Sequence, residues 1–475
     1  MWYSKLGNKG LWKAFNEISK HPRESGNEEG VRNYILSWAE KHSFEARTDQ
    51  TGNVVIYAPA TKGLEDLPPV ALQGHMDMVC VKKPSSKHDF LTDPIAIVTD
   101  GVTVRAKGTS LGADNGIAIA MVMDILTDKS VKHGPIEAIF TVEEETGLTG
   151  VYGLDTELVS ARRLINLDSE EEGLIYIGCA GGLDLQATMK YKTEAAVGTP
   201  LKVTVSGLLG GHSGSEIGKE RGNAIKILAR YLNRLPSVSI ASIEGGTRHN
   251  VIPSSASAVI TVENKDIALS IASALQEELS NEYKVSDPGV TLSVEDTEMP
   301  LVTMKRKKSL RLIDLLFSAP HGVKAMSTTV KGVVETSDNL AIVKMENGKV
   351  IVDFSIRSNV DSRKMLLSYE IQCIAENLGF KTKAAGSYPA WEPDPKSRFT
   401  KEVVKAYSQI VGKRPVVTAI HAGLECGIIN DRIPGMESIS IGPDLRDVHS
   451  VNENLGVESA ERICDFVKKL LPTLR

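Results

Sequence analysis

The chain has 475 residues, a formal net charge of −5 and 41% hydrophobic residues. One hydrophobic core rarely organises so long a chain, so we expect at least two domains of a soluble globular protein. The acidic balance excludes a typical nucleic-acid binder, and no stretch reaches the ~20 consecutive apolar residues of a membrane span.

The first part of the chain alternates predicted helices and strands. Two amphipathic helices are expected within residues 10–42, strands at 53–57, 69–73, 136–142 and 163–167, and a helix at 114–126. Three of the strands lead directly into ionisable residues, which are His75 and Asp77, Glu144 and Glu145, and Asp168. Because an open α/β sheet places its ligands at the carboxyl ends of its strands, these side chains are expected to share one cleft.

From about residue 183 the pattern changes to strands and helices separated by Gly-rich turns. Strands are predicted at 201–206, 251–263, 332–344 and 350–359, and helices at 223–235, 267–282, 309–318 and 363–378. Glu346-Asn347-Gly348 is typical of a β-hairpin turn. After a proline-rich segment at 389–395, a helix at 400–411 and a strand at 435–441 resume the earlier pattern.

These elements predict an α/β fold with one domain inserted into another. Residues 1–182 and 388–475 are expected to form a catalytic domain with a mixed, mostly parallel sheet and flanking helices. Residues 183–387 are expected to form an inserted α+β lid domain. The two parts of the lid are similar in size, but no sequence repeat relates them.

Candidate metal ligands occur at the strand ends and near the end of the chain. A paired-metal hydrolase needs a shared carboxylate, further ligands on each ion and a nearby base. The candidate ligands are His75, Asp114, Glu145, Asp168 and His449, all of types that zinc, cobalt and manganese accept. The five cysteines form no CxxC pair and the start of the chain has no apolar signal sequence. Both features predict a cytoplasmic protein with reduced thiols rather than a thiolate zinc site.

Six short motifs succeed one another along the chain. They are Gly74-His75-Met76-Asp77, Gly112-Ala113-Asp114-Asn115-Gly116, Glu144-Glu145-Thr146-Gly147, Asn166-Leu167-Asp168, Gly211-His212-Ser213-Gly214 and Asp447-Val448-His449-Ser450. Their order and spacing resemble those of the M20 metallopeptidase family. The segments 332–337 and 421–427 resemble its aminoacyl-histidine dipeptidase branch, the cytosol non-specific dipeptidases. The resemblance covers essentially the whole chain and implies a zinc-exopeptidase-like catalytic domain that hydrolyses Xaa-His and broader dipeptides.

The resemblance also implies a role for each catalytic-domain residue. Two divalent ions, zinc or alternatively cobalt or manganese, would be held by His75, Asp114 and Asp168 on one side and by Asp114, Glu145 and His449 on the other. Asp114 would bridge them, and Glu144 would be the general base for a water that both metals activate. Asp77 would fix the tautomer of the His75 imidazole. The run Glu143–Glu145 leaves its register ambiguous, and the family pattern favours Glu144 and Glu145.

The lid residues are expected to contact the substrate. The resemblance implies that His212 stabilises the oxyanion, with His249 as a lower-ranked alternative. Asn250 and Arg357 would bind the terminal carboxylate of the substrate, and Gly423 would add a backbone contact. For His421 and Glu425, a structural role and a functional role remain open.

Two other functions compete with a dipeptidase. An N-acyl amino acid deacylase would use the same metals and base, although Asp at position 168 goes more often with dipeptidases in this family. A non-catalytic metal-binding protein would have little reason to retain Glu144 and His212. The large lid can supply both His212 and Arg357 from one chain, so a second chain is not expected to complete the site. A homodimer is left open. The sequence identifies neither the physiological metal nor the preferred side chains.

Overall fold

The computed structural model describes residues 1–474, which divide into two compact units. Within the described residues, unit 1 consists of 1–178, 393–419 and 424–474, and unit 2 of Cys179–Glu392 and Ile420–Gly423. The domain boundaries expected from the sequence were 182/183 and 387/388. The return of residues 420–423 to unit 2 was not predicted.

The N-terminal part of unit 1 follows the predicted order of helices and strands. Its elements are α1 (Lys9–Ile18), α2 (Glu29–Lys41), β1 (Glu45–Thr48), β2 (Val54–Ala58), β3 (Val70–His75), β4 (Ile97–Thr99), β5 (Thr103–Ala106), α3 (Ala113–Thr127), β6 (Ile136–Thr141), α4 (Thr149–Gly153), β7 (Arg163–Asn166) and β8 (Leu174–Cys179). Four large apolar residues of α1 recur at helical spacing and are buried, namely Leu11, Trp12, Phe15 and Ile18, while Asn8 caps its first turn. In contrast, nearly every residue of α3 is buried, and this helix is apolar on most of its surface.

Unit 2 contains both helices and antiparallel strands. Its elements are β9 (Gly181–Lys190), β10 (Thr193–Ala195), β11 (Thr199–Ser206), β12 (Gly211–His212), α5 (Ala224–Arg234), β13 (Val238–Gly245), β14 (Val251–Ile252), β15 (Ala256–Val262), α6 (Lys265–Glu282), β16 (Thr291–Asp296), β17 (Val302–Met304), α7 (Arg306–Ser318), β18 (Gly322–Met326), β19 (Val334–Glu346), β20 (Lys349–Ser358), α8 (Asp361–Asn377) and β21 (Lys381–Tyr388). Its main sheet has the order β16-β11-β15-β13-β19-β20-β9-β21, with neighbouring strands antiparallel. Alternate residues of β9 are buried, which is the period expected where helices cover one face of a sheet.

Two sequence predictions in unit 2 have different outcomes. The hairpin is confirmed, because β19 and β20 pair around Asn347 and Gly348, whose φ angles are 50° and 72°. The single strand predicted at 251–263 is wrong. It is divided into β14 and β15, and Pro253, which lacks a backbone N–H, lies in the gap.

The C-terminal part of unit 1 adds α9 (Arg398–Val411), β22 (Val416–Ile420), α10 (Glu425–Arg432), β23 (Glu437–Ser440), β24 (Leu445–Arg446), β25 (Asn454–Gly456) and α11 (Val457–Leu470). Short 3₁₀ turns occur at Thr156–Leu158, Ile217–Lys219 and Leu471–Thr473. None of the helices within residues 1–474 is both long enough and apolar enough to cross a bilayer.

The sheet of unit 1 is mixed, and its centre positions the candidate site. The strand order is β1-β2-β6-β3-β7-β23-β8-β22. The four central strands β6, β3, β7 and β23 are parallel, whereas β1 and β2 are antiparallel to their neighbours and β8 is antiparallel to β23. The α/β class is therefore confirmed, with the parallel character confined to the centre. The carboxyl ends of β3, β6 and β7 consequently lie along one edge of this sheet.

Candidate active site

The predicted ligands of unit 1 follow the ends of neighbouring strands. His75 is the last residue of β3 and pairs in register with Thr141 at the end of β6. Glu144 and Glu145 come shortly after β6, and Asp168 shortly after β7. Asp114 lies in the first turn of α3, and His449 lies in the loop between β24 and β25.

These side chains form three groups with ligand spacing, two of which share Asp114. His75, Asp114 and Asp168 form the first of these two, and Asp114, Glu145 and His449 form the second. The third group is His75, Glu144 and Glu145. Within each group the candidate ligand atoms all lie within 4.8 Å of one another. Asp114 belongs to both of the first two groups, because its Oδ1 is 3.0 Å from His75 Nε2 and its Oδ2 is 3.2 Å from His449 Nε2. The structure therefore brings all five predicted ligands together, with a carboxylate between these two groups.

Asp77 connects the histidine to the loop that carries the two glutamates. Its Oδ1 lies 3.2 Å from His75 Nδ1 and accepts the backbone N–H of Glu144 at 3.1 Å. Its Oδ2 accepts the Ser25 hydroxyl at 2.7 Å and the backbone N–H of Glu145 at 3.1 Å. Burial opposes ionisation, but hydrogen bonds from His75 and other donors lower the pKa of Asp77 to about 2. An anionic Asp77 accepts a hydrogen bond from His75 Nδ1, and His75 Nε2 faces the other carboxylates.

The charges of the site fit divalent cations. His75 Nε2 faces carboxylate oxygens of Asp114 at 3.0 Å and Asp168 at 3.4 Å. Burial opposes protonation of His75, but the Asp168, Asp114 and Asp77 carboxylates raise the pKa of the ring well above its usual value, so positive charge is favoured at this point. Hydrogen bonds to Asp114 and Glu145 likewise raise the pKa of His449 to about 11. The donor set of imidazoles and carboxylates matches the preferences of zinc, cobalt and manganese.

Glu144 differs from its neighbours in its electrostatic surroundings. Its side chain is half-buried and lies within ligand distance of His75 and Glu145. Burial, followed by the Asp168 and Glu425 carboxylates, raises the pKa of Glu144 well above its usual value. A carboxylate with a raised pKa is the stronger base, which suits proton transfer near neutral pH.

Three buried charged residues lie near the ligands, and the sequence left the role of the first, Glu425, open while it assigned none to the other two. Glu425 accepts hydrogen bonds from Thr141 Oγ1 at 2.8 Å and from Gln73 Nε2, directly behind the strand ends. Burial raises the pKa of Glu425 to about 7. Arg23 and Glu453 contact the backbone of the ligand-bearing segments. Only the position of Glu453, four residues beyond His449, could have indicated a role.

His212, in unit 2, is held in one tautomer. Its Nδ1 accepts the backbone N–H groups of Gly214 and Ser215, both at 3.2 Å. The proton of the neutral ring therefore resides on Nε2, which is left free to donate. Burial and the positive charge of Arg357 lower the pKa of His212, so the ring remains neutral.

Arg357 offers unpaired hydrogen-bond donors in unit 2. The residue is 8% exposed, and its Nη1 donates to Tyr388 Oη at 2.8 Å. Its Nε is buried and has no hydrogen-bond partner among the described residues. Asn250 accepts the Ser213 N–H through its carbonyl, and Gly423 lies beside the Tyr388 ring. An unpaired buried guanidinium nitrogen is unfavourable by itself, and it is a charged donor whose best partner is an anion.

The two remaining lid histidines have partners within unit 2. His249 Nδ1 lies 3.2 Å from Asp184 Oδ1, and this exposed contact raises the pKa of His249. His421 is buried, with Nε2 2.7 Å from the Ser337 hydroxyl and Nδ1 3.4 Å from Asn359 Oδ1. Burial and Arg357 lower the pKa of His421 to about 3, so it is a neutral member of a buried polar network.

Comparisons with known proteins agree with this geometry. The model of Peptidase family M20/M25/M40 matches residues 71–473. The cytosol non-specific dipeptidase of Escherichia coli (strain K12) is 39% identical over 478 residues, which cover 98% of each chain. The crystal structure of aminoacylhistidine dipeptidase from Vibrio alginolyticus is 37% identical, covers 99% of this chain and 98% of its own, and superposes with a TM-score of 0.92.

A more distant structure shares the fold alone. Aminopeptidase PepT from Bacillus cereus is 17% identical, covers 99% of both chains and has a TM-score of 0.60. The predicted resemblance is confirmed by the family match and by two relatives that cover nearly the whole chain. The chain therefore belongs to the M20/M25/M40 peptidase family and is a peptide hydrolase.

Proposed function

We propose that this protein is a metallo-dipeptidase that hydrolyses Xaa-His and broader dipeptides with two divalent ions and Glu144 as the general base. The observation that carries the proposal is the pair of ligand groups that share Asp114. The names of the Escherichia coli and Vibrio alginolyticus relatives support a dipeptide substrate. The name of the first relative also supports the predicted cytoplasmic location.

The metal ligands follow from the two groups. His75 and Asp168 would hold one ion, Glu145 and His449 the other, and Asp114 both. When bound, the ions would lower the pKa of a water and polarise the carbonyl of the scissile bond. Asp77 would keep His75 Nε2 free of its proton, as a ligand requires. Zinc is the proposed metal, and cobalt or manganese fit the same donors.

Glu144 would carry the proton through the reaction. Its carboxylate lies in the ligand cluster but is not needed to complete either of the two groups that share Asp114. It can therefore accept a proton from the attacking water and deliver it to the amine that leaves. The raised pKa of Glu144 strengthens it as the base that accepts the proton of the attacking water.

The residues of unit 2 would recognise the substrate. His212 would donate its Nε2 proton to the oxyanion that forms when the peptide carbonyl is attacked. The unpaired Nε of Arg357 would bind the terminal carboxylate, with Asn250 and Gly423 as further contacts. A clamp on that carboxylate would restrict the enzyme to short substrates. A homodimer would not be needed to complete this site, since both His212 and Arg357 come from one chain.

The test is hydrolysis of a small panel by metal-loaded wild type and by Glu144→Ala. The panel contains Ala-His, β-Ala-His, Leu-Leu, Ala-Ala-Ala and an N-acetyl amino acid. We expect cleavage of the dipeptides alone and loss of about 10²–10⁴-fold in kcat for Glu144→Ala, with metal content unchanged. Preference for the N-acetyl substrate would replace the proposal with a deacylase, and absence of cleavage despite two bound ions would refute catalysis.

A further inference from the structure

Two buried charged side chains outside the ligand set contact the segments that carry the ligands. Arg23 is 2% exposed and Glu453 is 3% exposed. Burying an ionised side chain is unfavourable unless its hydrogen-bonding groups are satisfied, so both positions require a specific reason. In each case the partners are backbone groups beside a proposed ligand, although the buried Nε of Arg23 has no partner among the described residues.

Glu453 binds the backbone at the start of α3. Its Oε2 accepts the N–H groups of Leu111 at 2.6 Å and Gly112 at 2.9 Å, and its Oε1 accepts those of Ala113 at 2.8 Å and Asp114 at 3.3 Å. Four consecutive N–H groups thus converge on one carboxylate. Gly112 has a φ of 67°, a conformation that favours glycine.

This contact joins two of the ligand-bearing segments. Asp114 presents one carboxylate oxygen to His75 and the other to His449. Its backbone is held by Glu453, which lies four residues beyond His449 in the chain. The distance between the Asp114 and His449 segments is therefore constrained by a charged hydrogen-bond network rather than by the ligands alone.

Arg23 makes the second connection. Its Nη1 donates to the carbonyl oxygens of Met76 at 3.0 Å and Asp77 at 2.9 Å, and its Nη2 donates to the carbonyl of Gly112. One guanidinium therefore joins the segment that follows His75 to the segment that precedes Asp114. Only arginine presents several donors in a fixed planar arrangement, and lysine offers a single nitrogen on a flexible stem.

We propose that Arg23 and Glu453 are positioning residues that hold the His75, Asp114 and His449 segments at the separation that two cations sharing Asp114 require. Arg23 joins the first segment to the second, and Glu453 joins the second to the third. The inference rests on the metal centre of the proposed function. It adds that the geometry of the centre is set in the protein before a cation binds.

Binding of Co²⁺ to the metal-free full-length chain tests this inference, because the visible spectrum of Co²⁺ reports its coordination geometry. Wild type is compared with Glu453→Gln and Arg23→Lys by calorimetry and absorption. The matched control is Glu137→Gln. Glu137 is also a buried carboxylate, 5% exposed, that accepts the backbone N–H groups of Ser160 and Ala161. It lies near the start of β6, away from the strand end that carries the ligands.

We expect wild type to bind two Co²⁺ per chain. Each positioning variant should bind them about 10–100-fold more weakly and with a changed visible spectrum. The Glu137→Gln control should match wild type in affinity and spectrum, even where its thermal stability falls. If Glu453→Gln does not fold, Arg23→Lys decides by the same criterion.

Two results would overturn the inference while leaving the proposed function intact. The first is wild-type Co²⁺ affinity and spectrum in folded positioning variants, and the second is an equal loss of affinity in Glu137→Gln. Failure of wild type itself to bind two Co²⁺ would instead refute the metal centre of the proposed function, and the inference with it.

Discussion

Substitution of Asp77 by asparagine tests how the His75 imidazole is held. Each carboxylate oxygen of Asp77 now faces two donors. Oδ1 faces the His75 ring and the Glu144 N–H, and Oδ2 faces the Ser25 hydroxyl and the Glu145 N–H. Asparagine replaces one of these oxygens by an NH₂ group, which cannot accept a hydrogen bond.

The two orientations of the new amide have different consequences. If the NH₂ group replaces Oδ2, the Ser25 hydroxyl can reverse its direction, but the Glu145 N–H is left facing a donor. If it replaces Oδ1, the Glu144 N–H is left unpaired and His75 must accept at Nδ1. The second orientation moves the ring proton to Nε2, where Asp114 and Asp168 accept it in the absence of a cation.

Before His75 can bind a cation through Nε2, the new amide must turn back to the first orientation. We therefore expect Asp77→Asn to lower metal affinity about 10–100-fold. One unpaired buried N–H should also lower the free energy of unfolding of the metal-free protein by about 1–3 kcal/mol. Calorimetric titration with Zn²⁺ measures the first effect, and denaturant unfolding the second.

Asp49→Asn is the matched control for Asp77→Asn. Asp49 also accepts several backbone N–H groups, those of Thr51, Gly52 and Asn53, but in a loop that carries no proposed ligand. The control should lose stability and retain metal affinity. Metal affinity within about three-fold of wild type for Asp77→Asn would show that the tautomer of His75 is not controlled by Asp77.

Three further predictions concern unit 2. Arg357→Lys should raise KM for dipeptides about 10–100-fold and leave the hydrolysis of dipeptide amides nearly unchanged, since lysine cannot bind a carboxylate through two parallel bonds. An equal effect on dipeptides and dipeptide amides would contradict a carboxylate clamp. His212→Gln should lower kcat about 10²–10³-fold at unchanged metal content, measured by steady-state kinetics, and a change confined to KM would exclude oxyanion stabilisation. His421→Asn tests a pH effect, because the pKa of His421 is about 3 in the folded protein and a histidine of the unfolded chain binds a proton below about 6.5. The unfolded wild-type chain gains that proton as pH falls, so the free energy of unfolding of wild type relative to the variant should fall by about 2 kcal/mol between pH 7 and pH 5. Denaturant unfolding of metal-free protein at both pH values measures this change. A difference that stays constant with pH would contradict a neutral His421.

Elements with strong local patterns could be predicted from the sequence. The apolar residues of α1, the buried segments that became β3 and β6, and the Asn347-Gly348 turn each satisfy a rule that involves only neighbouring residues. Short strands such as β4 and β5 were missed, because three or four residues leave no period to recognise. The return of residues 420–423 to unit 2 depends on contacts such as His421 with Ser337, which no local pattern encodes.

The ligands and the residues that position them differ in how they can be recognised. A divalent cation accepts only a few side-chain types, so His75, Asp114 and His449 stand out at a strand end, a helix start and a loop. Arg23 and Glu453 instead bind carbonyl and amide groups, which every residue supplies, and their partners lie far away in the chain. A sequence that shows which atoms could bind metal therefore does not show what holds those atoms apart. That separation depends on buried contacts between backbone groups and charged side chains. Arg23→Lys and Glu453→Gln should therefore change the separation of the ligand atoms.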